Sequence, residues 1–451
     1  RKQISDTPYD IIVGVRSSVL LPFHNLGMVI IDEEHETSFK QTEPAPRYHA
    51  RNVALVMARM SGAKTLLGTA TPSLESYSNA VAGKYGYVSL TTRFGNVCMP
   101  EMEVVDIAEL KRKKLMNGPF SPVLLREIRQ ALERKEQVIL FQNRRGFAPV
   151  VECHVCGWTP QCPHCDVSLT FHKRSNSLTC HYCGFSTSVA QRCPQCDADR
   201  LSSKGYGTER IEDVLASIFP DARVARMDLD TTRSRSAYEG IIKGFQRGDT
   251  DILIGTQMVT KGLDFRRVSV VGILNASTML NQPDFRSYER AYQMMTQVAG
   301  RAGRSSAGNG QNVRPGRVIL QVHDAKQPTV MQVVRGDFEG MFRTQMEERR
   351  LFMYPPLCRL VYVYIKHKDE IVLEHLAEEL AALLRQVFGH RVLGPDMPPI
   401  ARVQTMYIRK VCLKLELTAN MAEARRRLHE IQKYMTSKPE YKSAVMYYDV
   451  D

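Results

Sequence analysis

Four Cys-x2-Cys pairs stand between residues 153 and 196: Cys153/Cys156, Cys162/Cys165, Cys180/Cys183 and Cys193/Cys196. Each pair aims two sulfurs at one ion from a tight turn. Tetrahedral zinc takes four thiolates, so four pairs supply two closed, structural sites. Gly157 and Gly184 directly follow second cysteines, where such a knuckle needs a positive φ. His154, His164, His172 and His181 lie nearby as alternative ligands, but eight sulfurs already suffice. Redox dithiols or disulfides are the competing reading. The fourfold repeat, in a chain whose start Arg1-Lys2-Gln3-Ile4 has no hydrophobic signal core, favours metal in a reducing compartment. Spacing alone leaves three pairings of the knuckles open.

A second group suits phosphate chemistry. Asp32-Glu33-Glu34-His35 follows the apolar run 28–31. A carboxylate at the end of a buried parallel strand can hold Mg²⁺, and the next can orient or deprotonate a water. Gly68-Thr69-Ala70-Thr71-Pro72 offers small hydroxyl residues after another short apolar run. Its plainer reading is a strand-to-helix turn with a Thr cap. Gln297 precedes Gly300-Arg301-Ala302-Gly303-Arg304. On a helical turn Arg301 and Arg304 face the same way, and two guanidinium groups suit a developing phosphoryl charge. A basic helix end is the plainer alternative. Gly255-Thr256-Gln257 with Lys261-Gly262, and Gly14-Val15-Arg16-Ser17-Ser18, offer amides and hydroxyls to backbone phosphates.

The elements that must position these groups read as α/β. Short β-branched runs at 28–31, 138–141, 224–227, 251–254, 268–274 and 317–321 lack alternation. Helical patterns at 48–60, 122–134, 209–218 and 288–297 separate them. Buried parallel strands with crossover helices have this signature, and their chemistry gathers at the carboxyl ends of the strands. The expected divisions are a first α/β block at 1–92, a linker at 93–120 holding Lys111-Arg112-Lys113-Lys114, and a second block at 121–336 with a cysteine-rich insertion at 150–203. From 337 to 451 the pattern becomes a small α+β domain, with strands near 360–366, 407–417 and 444–448 and helices at 370–388 and 422–435.

Composition sets the outer bounds. The 451 residues are 43% apolar and 24% charged, which excludes collagenous, low-complexity and wholly disordered chains. No apolar run approaches the ~20 residues of a membrane helix. The formal charge of +13 favours a polyanionic partner. The chain starts without Met, and the expectation is that it begins inside a longer protein.

The ordered set Asp-Glu-x-His, Gly-Thr-Ala-Thr, Gly-Thr-Gln and Gln-x-x-Gly-Arg-x-Gly-Arg resembles a superfamily 2 helicase. Further residues narrow the resemblance to the PriA family of primosomal replication-restart DNA helicases. They are Phe39-Lys40-Gln41 with Arg47-Tyr48-His49-Ala50-Arg51, Asn143-Arg144-Arg145-Gly146-Phe147, Gly255-Thr256-Gln257-Met258, Pro283-Asp284-Phe285-Arg286 and the eight-cysteine insertion.

The resemblance implies two RecA-like lobes, the first incomplete, with a zinc insertion in the second and a C-terminal α+β domain. It implies ATP-dependent 3′–5′ unwinding at stalled or abandoned replication forks and assembly of the primosome. Asp32 would hold Mg²⁺, Glu33 would be the catalytic carboxylate and His35 a further catalytic-site residue. Arg301 and Arg304 would be arginine fingers. Gly68, Thr69, Thr71, Gln297, Gly300 and Gly303 would line the ATP site. Arg16, Ser17, Phe39, Lys40, Gln41, Arg47, Tyr48, Arg144, Arg145, Gly255, Thr256, Gln257 and Lys261 would couple DNA to turnover. One Zn²⁺ would sit on Cys153, Cys156, Cys193 and Cys196, the other on Cys162, Cys165, Cys180 and Cys183. Forked DNA, single-strand-binding protein and other primosome proteins would be the partners of a monomer in the bacterial cytoplasm, associated with the nucleoid.

The sequence departs from the family pattern in two respects, the smaller being Asn275-Ala276, where the family leads one to expect an acidic residue. It also contains no Gly-x4-Gly-Lys-Ser/Thr phosphate loop. The expectation is that this loop and the family's N-terminal DNA-binding domain lie upstream, and that the chain alone is impaired as an ATPase. Two other readings compete with the motor: a zinc-bearing scaffold that holds DNA and primosome proteins, and an RNA helicase on the same two-lobe design. Response to forked DNA against RNA separates the last.

Overall fold

The computed structural model describes residues 9–90, 99–143, 150–153, 158–164, 168–172, 176–180, 185–199, 201–204, 208–228, 231–232, 234–260, 265–282, 284–303 and 314–451. Two compact units emerge, one from 1–87 with 346–451, the other from 88–345.

In the first unit, the strands Met28–Asp32 and Lys64–Gly68 pair in parallel, with Asp32 opposite Gly68. The crossover helix Ala50–Met60 buries Ala50, Ala54 and Ala58, a stripe at the helical repeat that lets the helix lie close. Met28, Ile30 and Leu66 are exposed on this two-stranded sheet. Helix Leu74–Val81 starts at Ser73, whose side chain accepts the Ser76 amide.

The same unit holds the α+β domain. Its antiparallel sheet runs Val392–Asp396, Met406–Glu416, Cys358–His367, Val445–Val450 in spatial order. Helices Glu370–Phe388 and Met421–Ser437 connect the strands as two interleaved β-α-β units. Val361, Val363, Ile365, Val411 and Leu413 join Leu373, Leu376, Leu380 and Leu384 in the core. Alternation then turns Tyr362, Tyr364 and Lys366 to the opposite face, where they are half-buried.

The second unit is built on a six-stranded parallel sheet. The order is Val224–Met227, Ile252–Gly255, Gln137–Phe141, Val268–Ile273, Arg317–Val322, Glu101–Asp106. All five residues of Gln137–Phe141 are buried, which explains the unbroken apolar pattern in sequence.

The last strand corrects an expectation. The described part of the expected linker 93–120 is not one: Glu101–Asp106 pairs with Arg317–Val322 along its whole length. Arg317 bonds Glu101 and Glu103 at 2.7 Å each, so the strand's charged residues face a cation at the sheet edge. Asp106 then caps helix Ile107–Arg112. The edge position, with one polar side, hid this strand from a search for apolar runs.

The cysteine-rich insertion enters and leaves through one antiparallel stem, Val150–Cys153 with Leu201–Lys204. A three-stranded sheet, Thr170–His172, Ser177–Thr179 and Ser186–Ser188, lies within it.

Candidate functional site

The register that sets Asp32 beside Gly68 brings two expected loops together at the carboxyl end of the parallel pair. Asp32 is exposed, and its Oδ1 accepts the Glu33 amide at 3.0 Å. Glu33 has φ +48°, a left-handed conformation that a non-glycine residue adopts at a cost. That turn leaves its carboxylate 42% exposed and 3.7 Å from His35 Nδ1. The His35 ring is buried. Its Nδ1 shares a hydrogen bond of 2.7 Å with Thr69 Oγ1, and its Nε2 stands 3.5 Å from Thr71 Oγ1. Thr69 Oγ1 in turn accepts the Thr71 amide at 3.0 Å. His35 therefore joins the acidic turn to the Gly-Thr-Ala-Thr turn. The donor set of Asp32 and Glu33, hard oxygens at a strand end, fits a Mg²⁺–nucleotide.

The turn's third carboxylate was missed by sequence reasoning. Glu34 is 1% exposed. It receives Arg51 Nη1 at 2.6 Å, the Ser73 amide at 2.7 Å, the Ser73 hydroxyl at 3.0 Å and the Ser76 hydroxyl at 2.8 Å. Its own amide donates to Gly68 O at 3.2 Å. This carboxylate ties both strand ends, the crossover helix and the following helix together. The available signal was Ser73-x-x-Ser76, a capping pattern, with an arginine on the intervening helix.

Beyond His35, the segment with Phe39 and Tyr48 forms an aromatic-rich loop. Lys40 and His49 face each other across an antiparallel bridge, and the Gln41 amide donates to Tyr48 O at 2.8 Å. Gln41 Nε2 spans the turn to Pro44 O and Pro46 O. Arg16 Nη1 reaches Ser38 O at 3.1 Å and Lys40 O at 3.2 Å, so the Gly14–Ser18 segment is bonded to this loop. Ser17 is exposed beside it, and Phe39, Arg47 and Tyr48 are half-buried. Burial, with Arg51 and Lys40 close by, pushes His49 down to about 4, so it is neutral at pH 7.

In the second unit, Gly255 ends its strand against Val259, and a Cβ on Gly255 would meet Val259 Cγ1 at 2.2 Å. Thr256 is buried and Gln257 opens a 3-10 turn, Gln257–Thr260. Helix Ser287–Ala299 carries Gln297 and ends before Gly300. The helix does not continue through the turn that holds Arg301. Gly303 takes φ +69° and donates its amide to Val268 O at 2.9 Å. A Cβ there would lie 2.7 Å from Gly316 N, so only glycine fits. Arg301 is buried. Arg304, Arg144, Arg145 and Lys261 lie outside the described residues.

The insertion's backbone fits thiolate ligands. The amides of Cys180 and Cys193 each donate to the carbonyl five residues on, Phe185 and Ala198, at 2.8 Å. The His164 amide donates to Cys162 Sγ at 3.4 Å. Asp197, directly after Cys196, has φ +54°, the conformation expected after a second cysteine. Gly157 and Gly184, which the sequence singled out for that conformation, lie outside the described residues, as do Cys156, Cys165 and Cys183. Cys153 is described in its backbone alone. Cys162, Cys180 and Cys193 are buried, Cys196 is exposed, and none forms a disulfide. A structural zinc chemistry suits this set of soft donors on closed turns.

Comparison with known proteins agrees with this geometry. A helicase conserved C-terminal domain matches residues 206–306, within the parallel-sheet unit. The parallel-sheet unit is of the helicase C-terminal α/β class. The PriA DNA helicase Cys-rich region matches 162–187, and the primosomal protein N C-terminal domain matches 350–451. Curated relatives include the replication restart protein PriA of Bacillus subtilis, 40% identical over 93% of this chain and 51% of the relative. Those of Chlamydia pneumoniae and Haemophilus influenzae are 41% and 38% identical, over 80% and 88% of this chain and 47% and 53% of the relatives. The chain belongs to the PriA family, and it spans about half the length of these relatives. Solved structures that it resembles are more distant. RecG bound to a three-way DNA junction is 15% identical over 73% of this chain and 30% of that one, with TM-score 0.34. Among the described residues, no helix is long and apolar enough to cross a membrane.

Proposed function

We propose that the chain is part of an ATP-dependent 3′–5′ DNA helicase that recognises and remodels stalled or abandoned replication forks and starts primosome assembly. The observation that carries this reading is the His35 junction, where carboxylates at a parallel-strand end meet a hydroxyl turn through one buried imidazole. Bound ATP with Mg²⁺ supplies the phosphoryl group whose hydrolysis drives the motor. Asp32 would hold the metal. Glu33 would orient or deprotonate the attacking water, and His35 would transmit its setting to Thr69 and Thr71. Arg301 and Arg304 would neutralise phosphoryl charge, with Gln297, Gly300 and Gly303 shaping that turn and Gly68 the other. Arg16, Ser17, the Phe39–Gln41 and Arg47–Tyr48 segments, Arg144, Arg145, Gly255, Thr256, Gln257 and Lys261 would report DNA to the nucleotide site.

Two zinc ions would hold the insertion. Cys153, Cys156, Cys193 and Cys196 would bind one, and Cys162, Cys165, Cys180 and Cys183 the other. Cys162→Ser is expected to release about one zinc per chain and loosen the insertion. Metal content read by plasma mass spectrometry tests this, and an unchanged content removes Cys162 from the ligands. Single-strand-binding protein and other primosome proteins are the proposed partners of a monomer associated with the bacterial nucleoid.

The function is tested on the full-length natural protein. ATP turnover should rise with forked DNA and far less with RNA, and a labelled fork should unwind from a 3′ single strand. Equal stimulation by RNA overturns the DNA assignment. DNA binding without any stimulated turnover turns the protein into a zinc-bearing scaffold.

A further inference from the structure

The aromatic-rich loop does not end in solvent. Lys40 Nζ lies 2.6 Å from Asp449 Oδ1, with the two side chains only 19% and 21% exposed. The same ammonium donates to Val450 O at 2.6 Å. Arg47 places its guanidinium 3.9 Å from the centroid of the Tyr447 ring. Tyr447 is stacked on Tyr364 of the neighbouring strand, with centroids 5.2 Å apart and planes 16° apart. Arg47 also stands 3.5 Å from Glu43 on its own loop. Thus both loop cations are engaged by one strand, Val445–Val450, at the edge of the C-terminal sheet.

These contacts have the chemistry of nucleic-acid contacts. An oxygen anion on an ammonium is what a phosphate offers lysine. An aromatic face under a guanidinium is what an unstacked base offers arginine. Both sets of ligands are anion and π-face, so they exclude each other at the same cations. The loop also has a short route to the acidic turn. The Lys40 amide donates to Thr37 O at 3.1 Å, Phe39 to Glu36 O at 3.1 Å, and Glu36 to Glu33 O at 2.9 Å. Two successive turns therefore join Lys40 to Glu33.

We propose that the C-terminal strand is an internal surrogate for DNA: Asp449 holds the place of a phosphate on Lys40, and Tyr447 the place of a base on Arg47, until DNA displaces them. Asp449 and Tyr447 are positioning residues that act through the loop. The inference rests on the DNA-coupling role proposed for that loop.

The test uses the full-length protein and ATP turnover against the concentration of a forked oligonucleotide. Asp449→Asn removes the competing charge. It is expected to lower the half-saturating DNA concentration about two- to fivefold, the range for a partly exposed ion pair, and to leave turnover at saturating DNA in place. Asp449→Glu is expected to restore the wild-type value. In a Lys40→Ala background Asp449→Asn should have no effect, because the partner of the charge is gone. An unchanged or raised half-saturating concentration overturns the surrogate, a rise meaning that the pair supports the DNA-bound loop. If Asp449→Asn loses its cooperative melting transition, Tyr447→Leu gives the same reading through Arg47, with the same lowering expected and the same failure overturning it. A wild type that DNA does not stimulate overturns the loop's role and this inference together. A stimulated wild type with unmoved variants overturns the inference alone.

Discussion

Glu33→Gln in the full-length protein is expected to keep DNA binding and to lower ATP turnover about 10²- to 10⁴-fold, the range for a general base. The side chain keeps its length and shape, so the left-handed turn at φ +48° has the same steric demand in both proteins. The change removes the negative charge proposed to orient or deprotonate water, and with it the charged partner 3.7 Å from His35. Turnover measured under single-turnover and steady-state conditions checks this, with DNA affinity read separately. A loss below tenfold would take Glu33 out of its assigned role and pass it to Asp32.

The second large effect is on stability. Arg51→Met should destabilise the first unit by about 3–5 kcal/mol, because it strands a buried carboxylate. Glu34 keeps two hydroxyls and one amide as donors, but loses the guanidinium bonded to it at 2.6 Å. Methionine fills most of the arginine stem's volume, so the loss reports charge rather than a cavity. Chemical denaturation gives the magnitude. The double variant Glu34→Gln with Arg51→Met should recover part of the loss, since the uncompensated charge is then gone. No recovery would mean that packing, not charge, sets the penalty.

Glu33 and Glu34 stand in opposite surroundings within the Asp32–His35 turn. Glu33 is exposed to its medium and strained. Its neighbour Glu34 is sealed and saturated with donors. Adjacent residues of one type differ in this way at a left-handed turn, Glu33 having φ +48°.

Much of the fold was legible before the structure. The strand Val224–Met227 and the helix Glu370–Phe388 fall where periodicity puts them, because buried strands and amphipathic helices write their environment into residue type. Glu101–Asp106 was not legible, because an edge strand pairs on one side and spends its charged residues on Arg317.

What the sequence determined by itself is the chemistry that local spacing encodes. Four Cys-x2-Cys turns, an Asp-Glu-Glu-His turn after an apolar run, and a Gly-Arg-Ala-Gly turn each need only neighbouring residues to define them. The tertiary structure alone decided which distant residues complete them. His35 meets Thr69 because two parallel strands share a register, Glu34 meets Arg51 and Ser73 across the crossover, and Lys40 meets Asp449 across 409 positions of chain. Contacts of that separation follow from packing summed over the whole fold, and no single stretch of sequence carries them.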